Sequence, residues 1–152
     1  MHGDGTSLWT LTHHRDFAKG FVGLLGNRRT LGEVFHITSD EALTWNQIVE
    51  ICAEAAGTSA EIIHIPSKLI AAYDEGWGTS LLGDKSHSMV FDNSKLKRFV
   101  PDFAATIPYS QGAREVIAWF EADPARQVID PAATQVIEQI LAAYQRALPN
   151  RV

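Results

Sequence analysis

The chain of 152 residues carries a formal charge of -5, with 45% apolar and 20% charged residues. That length fits one domain of roughly 100–200 residues with a real core. The acidic balance argues against a general binder of nucleic acid or of an anionic membrane surface. The single cysteine, Cys52, excludes an internal disulfide framework.

No apolar run approaches the ~20 residues that span a bilayer. The N-terminal "MHGDGTSLW" has neither the basic start nor the apolar centre of a signal peptide. A cytoplasmic location is expected.

In chain order, Leu8 to His13 alternates with Trp9, Leu11 and His13 on one face, a short strand. Asp16 suits a helix N-cap, because its carboxylate can accept the free amides of a first turn. Phe17, Phe21, Leu24 and Leu25 form the stripe of that helix, and Gly26 with Asn27 ends it. "EVFHIT" (33–38) is apolar on both faces and predicts a buried second strand. Thr44 and Gln47 have capping-box spacing. Trp45, Ile48, Val49, Cys52 and Ala56 then mark a helix closed by Gly57.

"EIIHIP" (61–66) predicts a third strand, and Ser67 can cap a short helix bearing Leu69, Ile70 and Tyr73. Residues 74–88 have little periodicity and read as a long, functional loop. "SMVFD" (88–92) is a fourth strand, and "NSKLKRFVPDF" a short helix stopped by Pro101. A helix from about Gln111 to Ala122 should bury Val116, Ile117 and Phe120. The last helix starts at Asp130-Pro131, a cap followed by a first-turn proline. Strand-helix alternation of this kind predicts an α/β fold with mostly parallel strands.

Gly20, Gly23 and Gly26 imitate a dinucleotide-binding glycine motif. The spacing opposes that reading. Gly20 stands seven positions after His13, a helical stripe fills the interval, and a parallel crossover needs the helix to contain these glycines. Close packing of that helix explains them better than a cofactor phosphate.

His13 and His14 stand at a strand's C-terminal end, where ligands bind in open α/β sheets. A neutral imidazole there can hydrogen-bond a substrate group; the alternative is a histidine occupied by its own backbone. Lys85, His87 and Asp92 gather around the long loop, with Lys85 either meeting an anion or solvated. No metal-ligand spacing and no nucleophile elbow occur.

Three segments, "GDGTSLWTLTHHRDFAKGFVGLLGN", "GEVFHITSDEALTWNQIVEICAEAAG" and "FDNSKLKR", resemble in order the C-terminal half of extended short-chain dehydrogenase/reductases, the NAD-dependent epimerase/dehydratase family. His13 and Asp16 match the family's strand-end His and following Asp, and Asp92 and Lys95 its D-x-[ST]-K segment. The resemblance covers residues from about 3 to 120. It implies the C-terminal part of an extended Rossmann-type fold, with residues 1–122 a substrate-binding part and 123–152 a helical extension.

The family's glycine-rich NAD loop and its Tyr-x-x-x-Lys pair do not occur. Four positions after Tyr73, Tyr109 and Tyr144 stand Trp77, Ala113 and Leu148. The resemblance therefore implies the substrate-binding half of an oxidoreductase or isomerase, a piece without catalytic residues of its own. NAD(P) is the cofactor of the full-length family and is not expected to bind this chain tightly. Where the nucleotide-sugar epimerases carry a diphosphate-gripping arginine, Trp9 stands here, and an indole cannot replace a guanidinium fork.

The residues implied to line the substrate cleft are His13, Trp9, Lys85 and His87, around a small, sugar-like molecule; Asp16 is structural. The alternative is a non-catalytic α/β module binding a small molecule or a protein. RNA binding, known in some atypical relatives, is opposed by the acidic charge. A strand cut from its sheet would also leave an edge through which the chain self-associates.

Overall fold

The computed structural model describes residues 1–148. Its elements are β1 (Leu8–Trp9), α1 (His14–Leu24), a 3-10 turn (Arg28–Thr30), β2 (Leu43–Thr44), α2 (Trp45–Ala55), α3 (Ser67–Tyr73) and α4 (Glu75–Ser80). There follow a π-helical turn (Leu81–Lys85), α5 (Ser94–Phe99), α6 (Tyr109–Glu121), a second 3-10 turn (Pro124–Arg126) and α7 (Pro131–Ala147).

The helices follow their local signals. Thr44 and Gln47 form the expected capping box on α2, a device that stabilises a helix by about 1 kcal/mol. Gly57 closes that segment with a φ of +68°, and Gly26 follows α1 with +75°, a region only glycine enters freely. Asp130 caps α7 ahead of Pro131. The expected C-terminal extension includes residues 149–152, which lie outside the described residues.

The strands do not follow theirs. The ladder among the described residues pairs β1 with β2 in antiparallel sense, Leu8 opposite Thr44 and Trp9 opposite Leu43. Parallel pairing shrinks to two single bridges, His2 with Ile65 and Trp9 with Met89. The segments 33–38, 61–66 and 88–92 run without ladders, which corrects the expected parallel sheet. A strand is defined by a neighbour, and each of these segments lacks one along most of its length. The expected second strand, 33–38, is not buried either: Val34 is 79% exposed.

Other expectations also move. His13, not Asp16, is the N-cap of α1. Ser67 is the first residue of α3, whose cap position holds Pro66 without a side-chain bond. Residues 75–85 are helical rather than a loop, with Asp74 accepting from the Trp77 N–H at 2.7 Å to start α4. On α6 the buried residue is Ala113, whereas Val116 and Phe120 are exposed. That helix packs against α2, with Trp119 also exposed and Ile117 half-buried.

Two packed regions result. Around α1 and α5, Leu96 and Asp16 are fully buried and Phe103 nearly so. Gly20 and Gly23 lie within α1. A Cβ on Gly20 would come within 2.6 Å of Ile37, and one on Gly23 within 2.5 Å of Val100, so these glycines serve close packing as expected. In the second region Ile65, Ile70 and Ile140 join α3 to α7, with Leu81, Leu141 and Tyr144 packed around them.

Candidate functional site

The short β1–β2 pair fixes Trp9 against Trp45, with ring centroids 5.6 Å apart. The π-helical turn brings the Lys85 ammonium to 5.4 Å from the Trp9 ring. Asp84 also receives a bond from Lys85 Nζ, at 3.2 Å. The same turn is anchored through its backbone: the Lys85 carbonyl accepts from His2 Nε2 and from Ser7 Oγ, each at 3.0 Å. His2 is buried. Burial lowers its imidazole pKa, against the raising effect of the Lys85 carbonyl; the ring is a neutral donor.

The next residues line a polar cleft of about 410 Å³ with His2, Asp4, Ser7 and Ser67. Ser86 Oγ meets Ser67 Oγ at 2.8 Å, and Ser88 Oγ accepts from the Leu8 N–H at 3.0 Å. His87 stands between these two serines on the same wall. Several hydroxyls with two imidazoles and one carboxylate can exchange hydrogen bonds with a polyhydroxylated ligand.

His13 belongs elsewhere. It lines a separate cleft of about 620 Å³ between the start of α1 and α6, whose walls include Leu11, Tyr109, Val116 and Trp119. Its Nδ1 accepts from the Arg15 N–H at 3.2 Å, so the neutral ring carries its proton on Nε2. That nitrogen donates to Glu115 at 3.1 Å. Both ring nitrogens are therefore engaged, and His13 pins α1 to α6. Glu115 is held below the usual carboxylate range by its bonds to Gln111 and His13. Deeper in the cleft Cys52 Sγ lies 3.0 Å from Tyr109 Oη. Burial, then the Cys52 contact, pushes the Tyr109 phenol up, so it stays protonated.

The structure thus brings Trp9, Lys85 and His87 onto one side and sets His13 apart. Sequence reasoning missed His2, Ser7, Ser67 and Ser86, which lie on segments up to 84 positions apart and share no periodicity. It also missed Glu115, which no local signal ties to a histidine 102 positions away. Among the described residues no cluster of three His, Cys, Asp or Glu could hold a metal, and no helix is long and apolar enough to cross a membrane.

No protein-family profile matches the sequence. The chloroplast stem-loop binding protein of 41 kDa b from Arabidopsis thaliana is 32% identical over 65 residues, 42% of this chain and 17% of that one. Among solved structures, the UDP-glucuronic acid 4-epimerase from Bacillus cereus in complex with NAD superposes with a TM-score of 0.55 at 21% identity. That match covers 75% of this chain and 31% of the epimerase. The fold is related to part of a Rossmann-type epimerase. The chain spans less than a third of the length of either protein.

Proposed function

We propose that this chain is the substrate-side part of an NAD-dependent epimerase- or dehydratase-like oxidoreductase or isomerase. The observation that supports this reading is the likeness over 75% of the chain to an epimerase solved with NAD. In this reading residues 1–122 form the substrate-side unit and 123–152 an extension, helical at Pro131–Ala147. His87 and the serine-lined cleft face a polar small molecule of sugar-like character, with Trp9 and Lys85 beside them. A nucleotide diphosphate suits it less. The cation beside Trp9 is the single ammonium of Lys85, shared with Asp84, where bidentate recognition of phosphate favours guanidinium.

The residues present do not fit NAD. Gly20 and Gly23, the glycines that could have approached a pyrophosphate, are pressed against Ile37 and Val100 inside α1. The described tyrosines include no Tyr-x-x-x-Lys pair. This chain's own contribution is to bind and orient substrate, and hydride chemistry belongs to a cofactor-binding half.

Calorimetric titration with NAD tests this. No binding tighter than about millimolar, or ~-4 kcal/mol, is expected, and no turnover of a pyridine nucleotide. Micromolar NAD binding or turnover by the 152-residue chain would overturn the proposal. An upstream reading frame carrying a glycine-rich strand-helix motif and Tyr-x-x-x-Lys would support it. Without one, the rival reading gains: a non-catalytic module whose polar cleft binds a ligand and transforms nothing.

A further inference from the structure

A third cleft adjoins the polar one and is of the opposite character. It measures about 400 Å³ and lies among α3, α4 with its π-helical turn, and α7; Ile70, Leu81, Ile137 and Ile140 form its apolar walls. Trp77 stands at one side, and Ser80 and Lys85 supply polar groups. The walls are firmly set. A Cβ on Gly78 would come within 2.5 Å of the Ala71 side chain, so α4 sits directly on α3. Ile65, Ile70 and Ile140, all largely buried, form the floor of the cleft.

Two features make this more than loose packing. First, the π-helical turn is an irregularity that recurs at functional positions. Here it spans Leu81–Lys85, and its first and last residues both line the cleft. Secondly, the cleft combines apolar walls with the Lys85 side chain, beside Met1 and His2. Lys85 is paired with Asp84, but both side chains are well exposed, 35% and 46% accessible, and such a pair holds the ammonium only weakly. The ammonium is therefore available to an anion arriving with an apolar body.

We propose that this cleft binds a small amphipathic monocarboxylate. An acyl or aryl body of roughly ten heavy atoms fits the volume. It would lie against Ile70, Leu81, Ile137, Ile140 and Trp77, with the carboxylate at Lys85 and Ser80. The assignment does not depend on the cofactor reading.

The test uses the whole chain with octanoate and 4-phenylbutyrate, and with the corresponding alcohols as uncharged controls. Affinity of about millimolar or tighter is expected for the acids. Ile137→Trp, at a position 47% exposed and so tolerant of bulk, fills the cleft and should weaken binding at least tenfold. Lys85→Gln should weaken the acids about tenfold, the usual scale of a charge-assisted bond, and leave the alcohols unchanged.

Nitrogen-proton NMR of the unmodified chain gives a readout independent of the variants. The Trp77 indole signal should shift on adding octanoate, and that of Trp119, in the other apolar cleft, should not. Three results would each refute the assignment: no binding up to roughly 10 mM, acids and alcohols responding alike in Lys85→Gln, or a shift at Trp119 without one at Trp77.

Discussion

The α1–α5 side and the α3–α7 side of the molecule keep their unfilled space in opposite places. Where α1 meets α5 the interior is dense: glycines admit Ile37 and Val100 to the helix backbone, and Leu96 has no exposed surface. Its outside is bare, with Phe21, Val22, Leu25, Leu31 and Val34 all exposed. Around α7 the unfilled space is internal, a cleft beside Ile70 and Ile140. A bare outer apolar face suits a protein surface, and a walled apolar cleft suits a small molecule. One chain thus presents two kinds of incompleteness.

The sharpest way to break the dense side is Asp16. It is fully buried, and its oxygens accept from Lys19 Nζ at 2.6 Å and from the Ile107 N–H at 2.8 Å. Asp16→Ala would strand that amide and cost about 3 kcal/mol, read as a lowered thermal midpoint, with the α3–α7 cleft still binding octanoate. Burial alone would raise the carboxyl pKa. The bonds from Lys19, Ile107 and Thr106 outweigh it and hold the pKa below the ordinary value. A depressed folded pKa gives stability that is present above the unfolded value near 3.9 and lost as the pH falls through the lower folded one. Urea denaturation across pH 5 to about 2 should show the native chain losing its advantage over Asp16→Asn as acid is added. A constant gap would refute the ionised assignment.

The difference between the sides also explains what was legible in the sequence. Helix caps are written within a few residues, as at Thr44 with Gln47 and Asp130 with Pro131, and these helices stand where expected. Strands were legible only as extended, apolar segments. "EVFHIT" has the right residues, but a ladder needs a partner and its own pattern cannot supply one. The 74–88 stretch read as a loop because its glycines mask a helix started by Asp74. Trp9, Lys85 and His87 could be named as candidates, Trp9 by its place in the resemblance and Lys85 and His87 by their place around residues 74–88. The serine wall and the His13–Glu115 bond are products of tertiary approach and left no local trace.

A smaller effect tests whether the glycines of α1 are the source of its density. Gly20→Ala should cost about 2 kcal/mol, because the new methyl would meet Ile37 at 2.6 Å, Phe103 at 3.1 Å and Leu96 at 3.2 Å. Gly83→Ala, on the other side, meets nothing within 4 Å and should gain about 0.5 kcal/mol from a less flexible unfolded chain. Opposite signs are expected in the two thermal midpoints. Equal signs would mean that α1 is no more tightly packed than the turn beside the cleft.

A last test concerns the bare face. Among the described residues, the backbone N–H groups of 34–38 donate no hydrogen bond, and Val34 and Leu31 stand beside them with more than three quarters of their surface exposed. Unpaired extended backbone flanked by apolar side chains is a template for pairing with a second chain. Self-association should therefore appear in sedimentation velocity as concentration rises. Val34→Lys places a charge on that edge, the device natural edge strands use against pairing, and should weaken association about tenfold, or ~1.4 kcal/mol. Ile137→Trp, on the opposite side, should leave it unchanged. A native chain that stays monomeric at high concentration would show that 33–38 is not an adhesive edge, and the contrast between an outer and an inner vacancy would then rest on the cleft alone.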